Sequence, residues 1–448
     1  MNVIRVNASH GTPELRAGWI AAVRQAADAA GVPVAVLWDL QGPRIRVGKL
    51  AEPRELLPGE TVVFAPEEVA RGAELPTTSA DLAAAGRPGA RILLDDGLLS
   101  VQVTRIAPPR VEGRVEDGGT LTSNKGMNLP GLHVSAPALT EKDREDTAHA
   151  ASVGADYVAL SFVRRAEDLA ELRALVPREM KLVAKIEKAT ALDDLPRILA
   201  ASDAVMVARG DLGVELPFEE VPVVQKRLIR EANRHGKPVI TATQMLESMV
   251  HNPRPTRAEA SDVANAILDG TDAVMLSAET AVGAHPFEAV RAMDRIIREM
   301  ERHGSSADGG ARGGGGGRDE RRATPGGTVS VEDAIALGTS AVARMLRTPL
   351  IVTLTKGGFT ARKVAALRAP VPILAVTTES ATFRQLALVW GVTPVLVDHV
   401  PSYDAMLAVV RDLLLKRGYA QAGDRIVMTA GVPWEVSGAT NLLKVEVV

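Results

Sequence analysis

The chain has 448 residues, a formal net charge of −3 and no cysteine. This length allows two or three domains with their own cores, and the lack of cysteine excludes disulfides and thiolate metal sites and fits a reducing compartment. No signal-peptide core follows Met1, no apolar run reaches the length of a membrane span, and no basic stripe with interleaved aromatic residues indicates nucleic acid. We therefore expect a soluble cytoplasmic enzyme.

Strand and helix patterns alternate from the start of the chain. The predicted elements are strands over residues 2–7 and 33–39, with an alanine-rich helix over residues 14–30 between them. After Asp39 the texture changes, because residues 42–130 are rich in Gly and Pro and contain short alternating segments. This composition predicts a small β domain inserted between a strand and its helix, with Asp95, Asp96 and Gly97 in a hairpin turn.

Five further short apolar runs continue the alternation. They are predicted as strands over residues 155–161, 182–187, 204–208, 237–243 and 272–277, with helices such as 166–175 and 218–235 between them. The alternation predicts βα units around a parallel sheet, and barrels of this kind carry their active sites on the C-terminal rim of the strands. A closed barrel needs eight strands. The sequence supplies seven, and residues 286–302 read as a helix, so we expect the eighth ahead of Met1.

Charged residues end two of these runs. Lys185 and Glu187 are two residues apart on one predicted strand, so they point to the same face, and Asp211 follows the next strand. A lysine and a glutamate at this spacing commonly form a solvated surface, and that interpretation stays open for the pair alone. Because all five strands end on a polar residue or are followed directly by one, we favour a site where carboxylates hold a divalent cation and an ammonium group neutralises an anionic group in transfer.

The last third of the chain begins with a break. Residues 303–327 include the run Gly313 to Gly317, and this composition predicts a flexible linker. A separate α/β domain is predicted beyond it, with a helix near residues 332–346 and strands at 350–353, 372–376, 393–397 and 425–429. Residues 355–362 follow a strand and open a helix. Their hydroxyl and N–H groups could hold a phosphate, or they could form an ordinary strand-to-helix turn.

Several longer motifs resemble the pyruvate kinase family. They lie at residues 1–11, 39–46, 124–131, 185–187, 208–213, 242–249 and 275–280, in order and over nearly the whole chain. The resemblance implies an α/β protein: a (β/α)8 TIM barrel whose first βα unit is missing, an inserted small β-barrel lid domain and a C-terminal α/β domain. The implied boundaries are 1–43 and 131–302 for the barrel, 44–130 for the inserted domain, 303–330 for the linker and 331–448 for the last domain.

The same resemblance implies transfer of the phosphoryl group of phosphoenolpyruvate to ADP, followed by protonation of the enolate to pyruvate. Glu187 and Asp211 would ligate Mg²⁺ or Mn²⁺, and Lys185 would offset charge on the phosphoryl group in transfer. Arg5 would bind the phosphate on both the substrate side and the nucleotide side, and the N–H groups of Gly210 and Asp211 with the Thr243 hydroxyl would bind the substrate carboxylate. Thr243 and Ser277 would relay a proton through water to the enolate. His10 and Lys125 would contact the nucleotide. For His10, an ordinary turn position stays open.

The chain departs from the family at its monovalent-cation position. Family members that need potassium hold it with residues matched here by Asn7, Ser9 and Asp39, and they carry an acidic residue where this chain has Arg44. Our hypothesis is that Arg44 supplies the positive charge, so that activity persists without potassium. The resemblance also implies a homotetramer and allows a phosphorylated effector at residues 355–362.

The second departure is the start, because the family's first strand and helix are missing ahead of Met1. We interpret this as a start assigned at an internal methionine. The alternative is a truncated, catalytically impaired chain that retains a C-terminal effector-binding or assembly module. A metal-dependent aldolase acting on pyruvate enolates would also use rim carboxylates, but it would not need Lys185 beside a nucleotide-sized lid.

Overall fold

The computed structural model describes residues 1–79, 82–132, 137–306, 329–369, 371–399, 403–432 and 440–448. The chain begins with a strand, a helix and a strand, which are β1 (Val3–Asn7), α1 (Pro13–Ala30) and β2 (Ala35–Asp39). Helix α1 begins where the Thr12 side chain accepts a hydrogen bond from the Leu15 N–H, and it ends at Gly31 with φ of 64°. Strands β1 and β2 pair in parallel, which places Asn7 directly opposite Asp39.

Two small sheets follow β2, within residues 44–130, which we call the inserted domain. Its elements are β3 (Arg54–Leu56), β4 (Thr61–Pro66), β5 (Leu75–Thr77), α2 (Leu82–Ala85), β6 (Arg91–Leu94), β7 (Leu99–Ala107), β8 (Arg110–Asp117), β9 (Gly119–Leu121) and β10 (Met127–Asn128). Six strands form one sheet in the order β10-β6-β7-β8-β4-β5, and β3 pairs with β9. As predicted, Asp95, Asp96 and Gly97 form the turn between antiparallel β6 and β7, with φ of 52°, 54° and 90°.

The parallel sheet resumes after the inserted domain. Its elements are α3 (Glu141–Ser152), β11 (Tyr157–Leu160), α4 (Ala166–Arg173), β12 (Lys181–Ile186), α5 (Leu195–Ala201), β13 (Ala204–Ala208), α6 (Arg209–Glu215), α7 (Val221–Arg234), β14 (Val239–Ala242), α8 (Arg257–Asp269), β15 (Ala273–Val274), α9 (Ala278–Ala281) and α10 (Pro286–Ser306). All seven predicted strands are present, in the order β1-β2-β11-β12-β13-β14-β15. Strand β15 is shorter than predicted and pairs with β14 alone. Within the described ranges, β1 and β15 are the two edges of this sheet.

Alternation along the strands separates a core from a charged rim. Leu37 and Val183 pack together inside the curled sheet, whereas the residues two positions further on, Asp39 and Lys185, lie on the same face near the C-terminal ends of the strands. Residues of the opposite parity, such as Trp38, pack against the surrounding helices. The interior is therefore apolar at its base and charged at its rim, as in enzymes of this barrel type.

A second α/β sheet follows. Its elements are α11 (Val331–Leu346), β16 (Ile351–Leu354), α12 (Phe359–Ala365), β17 (Ile373–Thr377), α13 (Ser380–Gln385), β18 (Val392–Leu396), α14 (Tyr403–Lys416), β19 (Arg425–Ala430) and β20 (Leu442–Val447). The strand order is β18-β17-β16-β19-β20, and β20 alone is antiparallel to its neighbour. Four of these strands were predicted and β20 was not. Most of the predicted linker, residues 307–328, lies outside the described residues, and α10 continues to Ser306.

The second sheet contacts the base of the first through a short turn after α13. Leu388 is 2% exposed and packs among the inward-facing residues of the barrel strands, including Leu37 and Met206. The Tyr157 hydroxyl donates to the Gln385 carbonyl over 2.7 Å. Asp156 is buried between two arginines, Arg24 at 2.7 Å and Arg384 at 2.8 Å. The C-terminal region therefore closes the apolar end of the barrel sheet.

Candidate active site

Neighbouring strands bring charged side chains together at the rim. Arg5 on β1 places Nε 2.6 Å from Oδ2 of Asp39, which ends β2. Lys185 on β12 places Nζ 3.1 Å from Oδ1 of Asp39 and 2.9 Å from Oε1 of Glu187. Two cations and two carboxylates, which lie on or directly after β1, β2 and β12, thus form one continuous network. The sequence predicted the convergence of Lys185 and Glu187, but it assigned Asp39 to a potassium site rather than to this network.

Lys185 is held as an ammonium group. It is 9% exposed, and its Nζ also donates to Oγ of Ser161 over 2.7 Å. Burial acts to lower the pKa of Lys185, but the charges of Asp39 and Glu187 outweigh burial and raise that pKa above its ordinary value. A fixed positive charge at this point suits neutralisation of a phosphoryl group.

Glu187 and Asp211 form a pair of acidic groups. Glu187 is 1% exposed, and its Oε2 accepts a hydrogen bond of 2.7 Å from the Phe162 N–H. Burial and the charge of Asp211 raise the pKa of Glu187, although Lys185 opposes them. Two carboxylates that repel each other are stabilised by a cation between them, so the residues fit a divalent metal ion.

The number of protein ligands for such a metal is small. Among the described residues, no group of three or more His, Asp or Glu side chains is arranged to hold an ion. In phosphoryl-transfer sites, Mg²⁺ is usually held by one or two carboxylates, with substrate phosphates and water as its other ligands.

Arg44 joins the inserted domain to this acidic pair. Its Nη2 lies 2.6 Å from Oδ1 of Asp96, in the turn between β6 and β7, and 3.9 Å from Oδ1 of Asp211. Val214 of α6 lies on the other side of the same turn, 3.8 Å from the position of a Cβ built on Gly97. The tip of the inserted domain therefore rests on the helix that carries Asp211. The resemblance matched Arg44 to an acidic residue of potassium-requiring members, and its contacts with Asp96 and Asp211 were not predicted.

Those matched residues lie close together. The Ser9 N–H donates to Oδ1 of Asn7 over 3.0 Å, and Asn7 is opposite Asp39 in the sheet. Oδ1 of Asp39 is buried, and the cation that lies against it is the Lys185 ammonium group at 3.1 Å. Arg5 and Lys185 already flank this carboxylate, and their charges work against a further cation.

The predicted carboxylate-binding groups are also neighbours. The Gly210 N–H donates to the Thr243 hydroxyl over 2.8 Å, and that hydroxyl donates to the Ala242 carbonyl over 2.7 Å. The two groups are therefore bonded to each other in this state. Ser277 follows β15, and its N–H donates to Oε2 of Glu279 over 2.6 Å.

The two predicted nucleotide residues lie on separate elements. His10 is exposed in the turn after β1, where its N–H donates to the Asn7 carbonyl. Lys125 belongs to the inserted domain and pairs with Asp95 at 2.8 Å. Their contact with a nucleotide stays a prediction.

Several residues around the site were missed by the sequence reasoning. Ser161 supports Lys185, and Phe162, with an unusual φ of 56°, supports Glu187. Gly42 lies against both, because a Cβ at that position would be 2.8 Å from Cβ of Ser161 and 2.9 Å from Cδ2 of Phe162. The position of Ser161 at the end of a predicted strand was a usable signal. Arg209, which follows β13, was the other omission.

The hydroxyl and N–H groups around residues 355–362, which could hold a phosphate or form an ordinary turn, make hydrogen bonds within the C-terminal region. The Thr382 hydroxyl donates to the Lys356 carbonyl over 2.7 Å, and Nη1 of Arg362 donates to the Gly357 carbonyl over 3.1 Å. The hydroxyls of Thr360 and Thr440 are buried and bonded to each other. The arrangement resembles a closed strand-to-helix turn, and α12 is only seven residues long.

A curled parallel sheet whose rim holds a buried ammonium group against carboxylates defines the class of barrel enzymes that act on anionic substrates with a divalent metal. The barrel domain of pyruvate kinase matches residues 1–290, and its alpha/beta domain matches residues 333–446. The chain belongs to the pyruvate kinase family.

Individual relatives agree over the full length of the chain. Pyruvate kinase of Geobacillus stearothermophilus is 45% identical over 456 residues, covering 100% of this chain and 76% of the relative. Pyruvate kinase of Clostridium acetobutylicum is 41% identical over 455 residues, covering 100% and 94%. The crystal structure of a pyruvate kinase from Cryptosporidium parvum superposes with a TM-score of 0.92 at 34% identity, covering 100% of this chain and 91% of that one.

Family membership confirms the predicted fold and activity. The chain is a phosphotransferase of glycolysis that converts phosphoenolpyruvate and ADP to pyruvate and ATP, and members of this family generally use Mg²⁺ and K⁺. The alternative of an impaired chain that serves only as a binding module is not favoured, and neither is the aldolase. Within the described residues, no helix is long and apolar enough to cross a membrane.

Proposed function

We propose that the phosphoryl transfer takes place at the rim network, with Lys185 at its centre. The observation that carries this proposal is the position of the Lys185 ammonium group, which lies within 3.1 Å of both Asp39 and Glu187. These contacts keep Lys185 charged and fix it at the rim, beside the acidic pair. A fixed point charge can stabilise the charge on a phosphoryl group in transfer without reorganising at the moment of reaction.

Glu187 and Asp211 would hold Mg²⁺ or Mn²⁺. Bound there, the metal would neutralise negative charge on the substrate. The support is the raised pKa of Glu187, which comes first from burial and then from the negative charge of Asp211. Arg5 would bind the phosphate in transfer, both as part of phosphoenolpyruvate and on the ADP side. Its recorded bond to Asp39 uses one of the five N–H groups of the guanidinium and orients the rest.

The substrate carboxylate would replace the hydrogen bond between Gly210 and Thr243 with bonds of its own to both groups. Gly210 N–H and the Thr243 hydroxyl now bond to each other at 2.8 Å, so an incoming carboxylate oxygen would accept from both, together with the Asp211 N–H. Thr243 and Ser277 would then pass a proton through water to the enolate, since a hydroxyl is a weak acid by itself. His10 and Lys125 would contact ADP from the barrel turn and from the inserted domain.

Arg44 would take the place of potassium. The support is electrostatic: Asp39 is already flanked by Arg5 and Lys185, and Arg44 adds a fixed positive charge beside Asp211. A monovalent ion held by Asn7, Ser9 and Asp39 would therefore add little to the charge balance of the site.

Assembly, regulation and location extend the proposal. We expect a homotetramer acting in the cytoplasm, where a glycolytic enzyme meets its substrates. A phosphorylated effector at residues 355–362 would first have to displace the bonds that Thr382 and Arg362 make within that loop.

The proposal is tested by coupled turnover of phosphoenolpyruvate with ADP across a magnesium titration. Lys185→Met is expected to abolish turnover, and Glu187→Gln and Asp211→Asn are expected to raise the magnesium concentration needed for half-maximal rate. Lys226→Met is the matched control, because Lys226 is an exposed lysine of α7 that pairs with Asp269 of α8. Turnover by Lys185→Met at the rate of the parent enzyme would overturn the assignment.

A further inference from the structure

The side chain of Arg209 turns back from the end of β13 to the turn that follows β14. Its Nη2 donates to the Thr243 carbonyl over 2.7 Å, and its Nε donates to the Ala242 carbonyl over 3.3 Å. A third contact, at 3.4 Å, reaches the Gln244 carbonyl. The side chain is 11% exposed, so these bonds are formed largely out of water. One guanidinium group thus binds three successive carbonyls of the turn that presents the Thr243 hydroxyl.

The turn that Arg209 binds has an unfavourable backbone. Thr243 and Gln244 have φ of 69° and 53°, in the left-handed region. For a β-branched residue such as threonine this conformation is rare, and a strained residue costs about 1–3 kcal/mol. Such a conformation persists only where surrounding contacts hold it, and the three bonds from Arg209 are contacts of that kind.

Arg209 is itself anchored on two helices. Nη1 and Nη2 each lie 2.7 Å from an oxygen of Asp262 on α8, and Nη1 also donates to Oε1 of Gln225 on α7 over 3.3 Å. A planar guanidinium gripped by a carboxylate in this bidentate way has a fixed orientation. The chain from Asp262 through Arg209 to Thr243 is therefore a rigid brace.

We infer that Arg209 is a positioning residue, which holds Thr243 where its hydroxyl faces the Gly210 N–H. The backbone of Arg209 directly precedes Gly210, and its side chain fixes Thr243, so one residue sets both partners of the 2.8 Å bond between them. This inference rests on the proposed role of Thr243 in binding the substrate carboxylate and relaying the proton. The specific consequence is that Arg209 acts through Thr243 and not through the nucleotide or the metal.

The test is a double-mutant cycle of Arg209→Lys and Thr243→Ala. Lysine keeps the charge but cannot bind three carbonyls and a carboxylate in one plane. Because misplacement of a binding group by about 1 Å can cost about 100-fold in rate, we expect Arg209→Lys to lower kcat by about 10- to 100-fold. We expect a higher KM for phosphoenolpyruvate and an unchanged KM for ADP. The exchange of pyruvate methyl protons with deuterated water, followed by NMR, should slow by a similar factor.

The decisive comparison is the double variant. If Arg209 acts through Thr243, the variant with both changes should be no slower than Thr243→Ala alone. Three results would overturn the inference and leave the proposed function standing. They are losses of kcat that add up in the double variant, a rise in the KM for ADP equal to that for phosphoenolpyruvate, and a normal kcat for Arg209→Lys while Thr243→Ala is slow. A Thr243→Ala enzyme with normal kcat would instead overturn the role of Thr243 as well.

Two further variants guard against a trivial loss of fold. Asp262→Asn weakens the ion pair that anchors Arg209 on α8. Because Asp262 is only half-buried, we expect a smaller fall in kcat than for Arg209→Lys, again with an unchanged KM for ADP. Arg197→Lys is the matched control, since Arg197 makes exposed ion pairs with Glu167 and Asp194 on the barrel surface. A normal kcat in Asp262→Asn would contradict the brace even if Arg209→Lys does not fold.

Discussion

Nζ of Lys185 lies 3.1 Å from Oδ1 of Asp39, although a whole strand, β11, separates their strands in the sheet. The contact exists because the sheet curls and both side chains point inward at the rim. Asp39 therefore shares with Glu187 the task of keeping Lys185 charged, and it orients Arg5 at the same time.

We predict that Asp39→Asn lowers kcat/KM by about 100-fold, because it removes a fixed charge that positions two cations at the reacting phosphate. The measurement is steady-state turnover together with a thermal unfolding midpoint. Asp156→Asn is the control. Asp156 is as buried as Asp39 and also contacts two cations, Arg24 and Arg384, but it lies at the opposite end of the barrel. The control should lose stability with little change in kcat. Similar kinetic losses in both variants would argue against a specific role for Asp39.

We predict that turnover does not depend on potassium. In tetramethylammonium buffer free of sodium, addition of potassium should leave kcat unchanged. Arg44→Glu should create a potassium requirement, because it places a negative charge beside Asp96 and Asp211 and removes a positive one. Arg54→Glu, which makes the same charge change at a half-buried pair with Glu60, should not. A strong potassium requirement in the unchanged chain would sink this prediction.

Leu388→Ala should destabilise the protein by about 2–5 kcal/mol, the range for emptying a well-packed leucine site. Leu388 comes from the C-terminal region but fills the base of the barrel core, so the loss should appear in the unfolding of the barrel. Urea unfolding followed by circular dichroism measures it. Leu396→Ala, at a site that is 44% exposed, is the control and should cost far less. Equal effects would mean that Leu388 does not contribute to the core.

We predict that the contribution of Glu259 to the free energy of unfolding depends on pH. Burial acts to raise its pKa, but hydrogen bonds from Ser248 and Thr256 outweigh burial and lower the pKa below its ordinary value. A group whose pKa is lowered on folding stabilises above its unfolded pKa of about 4.3, and this stabilisation is lost as the pH falls through the folded value. Glu259→Gln should therefore cost about 1 kcal/mol at neutral pH, as for other helix caps.

The measurement for Glu259 is the free energy of unfolding of both proteins between neutral and acidic pH. The difference between them should shrink as the pH falls below about 4, because the parent side chain then becomes protonated. Glu299→Gln provides the control at an exposed ion pair with Arg302. A difference that stays constant with pH would show that the carboxylate charge is not what stabilises.

The sequence was sufficient for the strands of the barrel sheet and for the contact of Lys185 with Glu187, and the charge of Asp211 acts on Glu187 as expected. Both follow from local rules, since alternation fixes which residues share a face and parallel strands bring their ends to one edge. The seven strands occur in the predicted order, with bounds shifted by a few residues.

The contacts that sequence reasoning missed are those that depend on long-range geometry. Nothing local tells that Asp39 reaches Lys185, that Arg44 pairs with the turn at Asp96, or that Arg209 folds back onto Thr243. Strand β20 was missed for a different reason. It lies at the edge of its sheet with Lys444 and Glu446 alternating among apolar residues, a pattern weaker than that of a buried strand.

Gly42 stands at the exit from β2 into the inserted domain, wedged against Ser161 and Phe162. Those two residues support Lys185 and Glu187, so the residue that leads into the inserted domain packs directly against the residues that orient the two charged groups. A side chain at position 42 would push Ser161 and Phe162 aside, and the ammonium and carboxylate groups would lose their orientation with them.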